Sequence, residues 1–504
     1  MEQGLWQLIC EMKCRYENQS AFLYLEGENI RAVSYEDFMW DVLSRTAACS
    51  ALPQKRIGLW GYNSYTWIVW ATGVLLSGKE AILLDANLDS PDLLRLAEYT
   101  EVELLLADRE LLDENRELLE KISVRTFEAA EKKLQETKNT PSAGWSRTWE
   151  NGLSPKWAEV PDLAPHKEGH FICFTSGTSK SAKGAVITTK ALHTAVETAE
   201  GILPGRAGER YYLPLPFHHI YAFTELFHVL KRGGTVCVGR GGRYLWEDME
   251  LFSPGIAFFV PSMVRYLLNG QALPPSLHSV LSGGSSLKED LAGQMEKCGL
   301  EFFNLYGLSE TLGMICCSTE EKGLLWLKPF PGIRFVLSKE QEVGVYLPFH
   351  MLEYYKREQE TLQVLDSEAQ LFWTGDAGEM DEDGCVRIRG RLRDTIVLEN
   401  GEKLHAEDVD GELSGLLGPR GPEAAVIGLG GRLEAVFAAE TEVLERAARE
   451  AVEQYNKKKP AYMRITRVWC RKKGLPRTVT GKLRRFQLEN EYRNEGKYDT
   501  GADY

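Results

Sequence analysis

No Cys-x-x-Cys pair occurs among the ten cysteines, which lie scattered from Cys10 to Cys470. Neither a zinc framework nor a disulfide scaffold is therefore indicated. The thiols read as reduced, small apolar packing groups of a cytoplasmic protein. Positive charge is also short: 59 Lys and Arg against 73 Asp and Glu leave a net charge of −14, which argues against a nucleic-acid surface. The most apolar run, Trp67 to Leu76, is too short to span a bilayer and is soon followed by Lys79 and Glu80. The start, MEQGLWQLICEMKCRY, lacks the basic residues and apolar core of a signal peptide. Walker A spacing, Gly, four residues, then Gly-Lys-Ser/Thr, is missing too.

With 504 residues, 43% apolar and 26% charged, the chain is an ordinary soluble composition large enough for two or three units. Residues 1–150 alternate apolar strands (Arg56 to Trp60, Ala81 to Leu84, Leu104 to Ala107) with helices (Trp67 to Gly78, and one opened by Ser90-Pro91). This rhythm predicts a parallel sheet covered by helices. Residues 131–160 are polar and aperiodic and read as a surface connection.

The stretch after that connection carries the first chemistry. Phe171 to Phe174 reads as a short buried strand, followed by Thr175-Ser176-Gly177-Thr178-Ser179-Lys180-Ser181-Ala182-Lys183-Gly184. Hydroxyls, glycine N–H groups and lysine charge in one loop suit an anion such as phosphate. A flexible linker has a similar composition.

Further on, Tyr211 to Phe223 (YYLPLPFHHIYAF) contains two prolines, which argue against a central strand and for a turn or pocket wall. His218 and His219 lack the spacing and carboxylate company of metal ligands, so packing or substrate contact is their expected role. Leu277 to Ser282 reads as a strand, then Gly283-Gly284-Ser285, with Ser286 and Glu289 as a capping box for the next helix. Glu301 to Tyr306 reads as a strand running into Gly307-Leu308-Ser309-Glu310-Thr311. An acid past a strand end can hold Mg²⁺; a lone acid there is more often a solvated loop carboxylate. Thr374-Gly375-Asp376 and Gly390-Arg391 follow, then a small α+β unit. Its helices are expected near 406–416 and 443–458, and its strands in Ala424 to Val436 and Ile465 to Cys470. Pro476 to Lys482 closes it, and the tail from Asn490 reads as disordered.

The order and spacing of these six motifs resemble the adenylate-forming (AMP-binding) superfamily, over about residues 160 to 490. Arg391 to Glu402 (RLRDTIVLENGE) looks most like the long-chain fatty acyl-CoA synthetases. The resemblance implies an α/β fold: a large N-terminal region of layered sheets flanked by helices (1–390) and a small mobile α+β C-terminal domain (391–504), hinged near 391–394.

It also implies roles. Thr175, Ser176, Gly177, Thr178 and Lys183 would hold the ATP β- and γ-phosphates, and Glu310 would hold Mg²⁺ with Ser309 near the α-phosphate. Tyr306 would stack on adenine beside Gly283, Gly284, Ser285 and Gly307. Asp376 would accept the ribose hydroxyls, and Arg391 would contact ribose or phosphate. Lys482 would bridge the α-phosphate and the attacking carboxylate. His219 would gate the acyl pocket, Arg393 would sit at the hinge and Gly401 in the thiol channel. Lys180 and Ala182 depart from the family's usual Gly and Pro.

The expected reaction is ATP-dependent activation of a carboxylic acid, a fatty acid being the expected substrate, through an acyl adenylate to a CoA thioester. An enzyme loading an acyl carrier protein is the nearest alternative, and a non-catalytic nucleotide- or acyl-binding homologue a further one. The absence of an acid between Phe217 and Glu225 disfavours an amino-acid substrate.

Overall fold

The computed structural model describes residues 4–115, 122–138, 169–175, 183–270, 273–418, 421–477, 483–495 and 502–503. Among these, the strands form sheets of seven, fourteen, four and two members. The expected βαβ rhythm produces the seven-stranded sheet. Strands Glu80–Leu84, Arg56–Trp60 and Leu104–Ala107 lie side by side in parallel. His170–Phe174 joins them in parallel and turns back antiparallel into Gly184–Thr188, so the phosphate-loop sequence connects two paired strands. Behind the sheet lies the helix Tyr65–Leu76, every residue of which is buried from Trp67 onward. Ser64 caps it by accepting from Trp67 N–H. Gly73 lets it cross the helix Tyr35–Ser50 closely: a Cβ there would lie 2.7 Å from Arg45 Cβ.

The fourteen-stranded sheet has a seam. On one side its strands run parallel (Ser20–Glu26, Arg210–Leu213, Thr235–Val238, Ile256–Phe259, Ser279–Ser282). On the other they run antiparallel (Gly313–Thr319, Gly323–Pro329, Leu371–Met380, Val386–Arg391 and others). Glu301–Leu308 sits between, parallel to Ser279–Ser282 and antiparallel to Gly313–Thr319.

A small C-terminal domain has its own sheet, Glu423–Leu429, Arg432–Ala438, Ile465–Arg471 and Ala502–Asp503, and its own apolar clusters, drawn from residues 396 to 492. Its helices Ala406–Leu417 and Glu442–Lys458 lie within a residue of the expected positions. The mixed α/β architecture with a separate small domain is the expected fold class.

Four local expectations are corrected. Arg210–Leu213 is a central strand, paired on both edges. Pro214 follows its last residue and so removes no ladder hydrogen bond, and Ile220 already begins a helix. Residues 131–138 are not loop but part of the helix Phe127–Lys138, which buries Phe127, Ala130 and Leu134 on one face. The capping box does not form: the helix begins at Glu289 with no side-chain cap, and Ser286 hydrogen-bonds the half-buried Glu407 instead. The tail does not start at Asn490, since Arg485–Glu495 is a helix whose Leu488 and Tyr492 are buried, Tyr492 against Trp469 with ring centroids 4.8 Å apart. All ten cysteines are free, and no helix among the described residues is long and apolar enough to cross a membrane.

Candidate active site

The seam strand delivers three of the sequence-selected residues. Tyr306, Gly307 and Ser309 lie at its end, where the hairpin to Gly313–Thr319 pairs Leu308 with Gly313 and Tyr306 with Cys316. Gly307 is required by this hairpin, because a Cβ would fall 1.7 Å from the Gly313 carbonyl oxygen. The turn is held by Thr311, whose hydroxyl accepts from Leu308 N–H (2.9 Å) and donates to Gly313 O (3.1 Å). Glu310 thus projects from a fixed turn, with its own carbonyl accepting from Met351 N–H at 2.8 Å.

Asp376, 4% exposed, comes from the strand Leu371–Met380. Tyr306 donates to its Oδ2 at 2.7 Å, and Arg391 places Nε 3.0 Å from its Oδ1. Arg391 also donates to the Thr374 carbonyl at 3.0 Å. Burial and the neighbouring Asp376 push the Tyr306 phenol well above its usual range, so it stays a donor. Three residues singled out from the sequence thus meet here, Asp376 bonded to both Tyr306 and Arg391.

Glu310 and Lys183 meet through a residue not singled out from the sequence. Tyr354 donates to Glu310 Oε1 at 2.6 Å, and Lys183 Nζ lies 4.6 Å from the centre of the Tyr354 ring. Lys183 Nζ is also 2.7 Å from Glu360 Oε2. Its backbone N–H lies 3.3 Å from the Thr175 hydroxyl, and Thr175 N–H donates to its carbonyl at 2.9 Å. The only signal was an aromatic and acidic stretch, Glu353-Tyr354-Tyr355 to Glu360-Thr361, just before Thr374-Gly375-Asp376.

A cavity of about 60 Å³ lies beside these groups, walled by Leu215, His219, Tyr221, Val260, Met263, Gly283, Gly284, Tyr306 and Met314. His219 stands at the position just before the helix Ile220–Lys231, with no side-chain cap hydrogen bond. Asn63 fixes the approach to it, donating to Leu215 O (2.8 Å) and accepting from Phe217 N–H (2.9 Å). His218 points elsewhere, with Nε2 3.5 Å from Asp85, and burial lowers its imidazole below the usual range. Gly284 adopts φ +81°, which its lack of a side chain permits.

At the domain junction Gly390 adopts φ +140°, and a Cβ would lie 3.0 Å from Glu407 of the C-terminal domain. Burial raises the Glu407 carboxyl. Arg393 lies in a single turn, Leu392–Asp394, with its side chain 81% exposed. Gly401 tops the hairpin joining Thr395–Val397 to Lys403–His405 at φ +84° with open space around it. The turn geometry, not crowding, accounts for the glycine in this arrangement. Ser285 follows the two glycines. Ser176, Gly177, Thr178 and Lys482 lie outside the described residues. Among the described residues no group of three or more His, Cys, Asp or Glu forms a metal cluster.

Residues 16–368 match the family described as AMP-binding enzyme. The chain belongs to that family. Among its relatives is the long-chain-fatty-acid–CoA ligase FadD13 of Mycobacterium tuberculosis, 24% identical over 64% of this chain and 67% of the relative. Another is the fatty acid–[acyl-carrier-protein] ligase ScoC of Streptomyces coeruleorubidus, 25% identical over 76% of this chain and 75% of the relative. In fold the chain is similar to the o-succinylbenzoate CoA synthetase of Bacillus subtilis solved with its acyl-adenylate intermediate, with TM-score 0.77 and 20% identity over 97% of this chain and 98% of that one. Proteins similar to this chain are thus named for quite different acids.

Proposed function

We propose that this protein activates a carboxylic acid with ATP and Mg²⁺ as an acyl adenylate and passes the acyl group to the thiol of CoA. The observation that carries this reading is one constellation: Lys183 and the Glu310 carboxylate joined through Tyr354, and the Asp376–Arg391 pair joined through Tyr306 to an apolar-walled cavity that Tyr306 lines. Two anions, the acid and the α-phosphate, must meet in such a reaction. Lys183 supplies positive charge to the departing phosphates, and the Glu310 carboxylate supplies oxygen ligands suited to Mg²⁺, which would screen phosphate charge. Asp376, already accepting two donors, is an acceptor of the kind a ribose diol needs. Lys482 would arrive with the C-terminal domain to stabilise charge between acid and phosphate, the domain turning at Arg393 and later bringing Gly401 to the thiol. We place the domain boundary at 390/391.

A fatty acid fits the apolar lining. The cavity is small beside the roughly 300–1,000 Å³ usual for ligand pockets, so Met263 and Met314, flexible wall residues, would have to move aside. A second reading, transfer to an acyl carrier protein, has its own support. Between Lys457 and Arg485 the sequence holds twelve Lys and Arg and no Asp or Glu, a contrast with the acidic whole that suits an anionic acceptor surface.

Pyrophosphate release is measured with ATP, Mg²⁺ and a panel of acids, with and without CoA, beside Lys482→Ala. Turnover requiring CoA, with AMP as product and a loss of roughly 10²- to 10³-fold in the variant, is expected. ADP as product would refute the reading. One burst of adenylate that only a carrier protein discharges would favour the second.

A further inference from the structure

The segment 350–364 is anchored on the strand Gly184–Thr188, which leaves the phosphate loop, and not by the Lys183 side chain. Leu352 N–H donates to Val186 O at 2.7 Å and Tyr355 N–H to Gly184 O at 2.8 Å. Tyr354 pairs with Ala185 across the strand Gly184–Thr188. Thr361 accepts from Tyr354 N–H (2.9 Å) and donates to Arg357 O (3.0 Å). These bonds set where Tyr354 and Glu360 stand. The contact between Glu360 and Lys183, whose side chains are 36% and 32% exposed, adds little to holding the segment. It nonetheless covers the one described lysine of the phosphate loop.

We propose that Glu360 occupies, in the nucleotide-free protein, the place on Lys183 that a phosphate oxygen of ATP takes, so that nucleotide binding exchanges one anion for another. The inference rests on the adenylation reading and goes beyond it by naming the residue that nucleotide must displace. Glu360 is suited to the exchange because Arg357 Nη1 holds its other oxygen at 2.9 Å. Once Lys183 departs, the carboxylate keeps a cation. Tyr354 completes the device, with its ring under the Lys183 ammonium and its hydroxyl on Glu310. A single side chain therefore spaces the phosphate lysine from the proposed metal carboxylate. Glu360 and Tyr354 act as positioning residues, touching the groups that touch nucleotide.

The experiment is calorimetric titration of the full-length protein and Glu360→Gln with ATP–Mg²⁺ and, separately, with adenosine, which has no phosphate to compete. Removing the competing charge should lower the Kd for ATP–Mg²⁺ about two- to fivefold, the range expected for a half-exposed ion pair. The Kd for adenosine should not move. A variant that binds ATP–Mg²⁺ equally or more weakly overturns the exchange. A variant that tightens ATP and adenosine alike also overturns it, since a general change in the site would act on both. Binding of ATP–Mg²⁺ by neither protein would overturn the adenylation reading as well, which separates the two failures. Thermal unfolding of both proteins checks the fold, and their midpoints should agree within about 2 °C.

Discussion

Removing Asp410 should destabilise the C-terminal domain while leaving the large domain's stability unchanged. Asp410 and Arg485 are each 3% exposed and join the helices Ala406–Leu417 and Arg485–Glu495 at 2.7 Å. Asp410 also accepts from Val426 N–H at 2.6 Å, and Arg485 donates to the Val426 carbonyl. One ion pair thus ties two helices to the strand Glu423–Leu429. Asp410→Ala leaves a guanidinium buried without its counter-charge, a change that costs about 3–5 kcal/mol. For a unit of roughly 100 residues each kcal/mol moves the midpoint by about 4–8 °C, so a fall of at least about 12 °C is expected. Hydrogen exchange read by mass spectrometry on peptides covering 423–438 and 465–471 would localise the loss, with peptides from 56–107 as the internal control. Asp410→Leu combined with Arg485→Met removes both charges and should recover most of the stability. A single variant that loses less than about 1 kcal/mol, or a double variant no better than the single, would refute the reasoning.

Three further outcomes follow from the geometry. Gly307→Ala drives a Cβ into the Gly313 carbonyl and should abolish soluble folded protein or lower the urea midpoint by several kcal/mol equivalent, about 4 or more. Tyr306→Phe takes one of two donors from the buried Asp376 and should cost about 1.5–3 kcal/mol in chemical denaturation. Burial raises the Asp108 carboxyl to about 6, above its unfolded value near 3.9, so its contribution holds below about pH 4 and is lost as pH rises through about 6. Asp108→Asn, which keeps an acceptor for Tyr62 N–H, should therefore stabilise at pH 8 by up to about 3 kcal/mol and give no advantage at pH 4.

Where local chemistry alone decides, the sequence was legible. Arg56–Trp60 and Leu104–Ala107 are strands at the expected residues, because four or five consecutive apolar residues need burial on both faces. The family resemblance implied that Tyr306, Asp376 and Arg391 belong together, and their side chains are in contact. Tertiary partners decided the remainder. Arg210–Leu213 is a strand because neighbours pair with both its edges, which the prolines beyond it do not forbid. Ser286 does not cap its helix and instead hydrogen-bonds a carboxylate from another domain. Glu360 and Tyr354 sit in a polar stretch with no periodicity, and only chain folding brings them to Lys183, more than 170 positions away in sequence.

The seam strand Glu301–Leu308 has an implication for when the protein becomes competent. One of its edges is bonded to chain made before it, and the other to chain made after it. Asp376 and Arg391 are later still. During synthesis the groups proposed to hold nucleotide therefore cannot assemble until residue 391 has emerged, however stable the earlier parallel strands are. Such long-range pairing also slows folding. Ligand then stabilises only the completed arrangement, by mass action. Nucleotide added to a refolding mixture should raise the yield of finished protein without speeding its earliest steps.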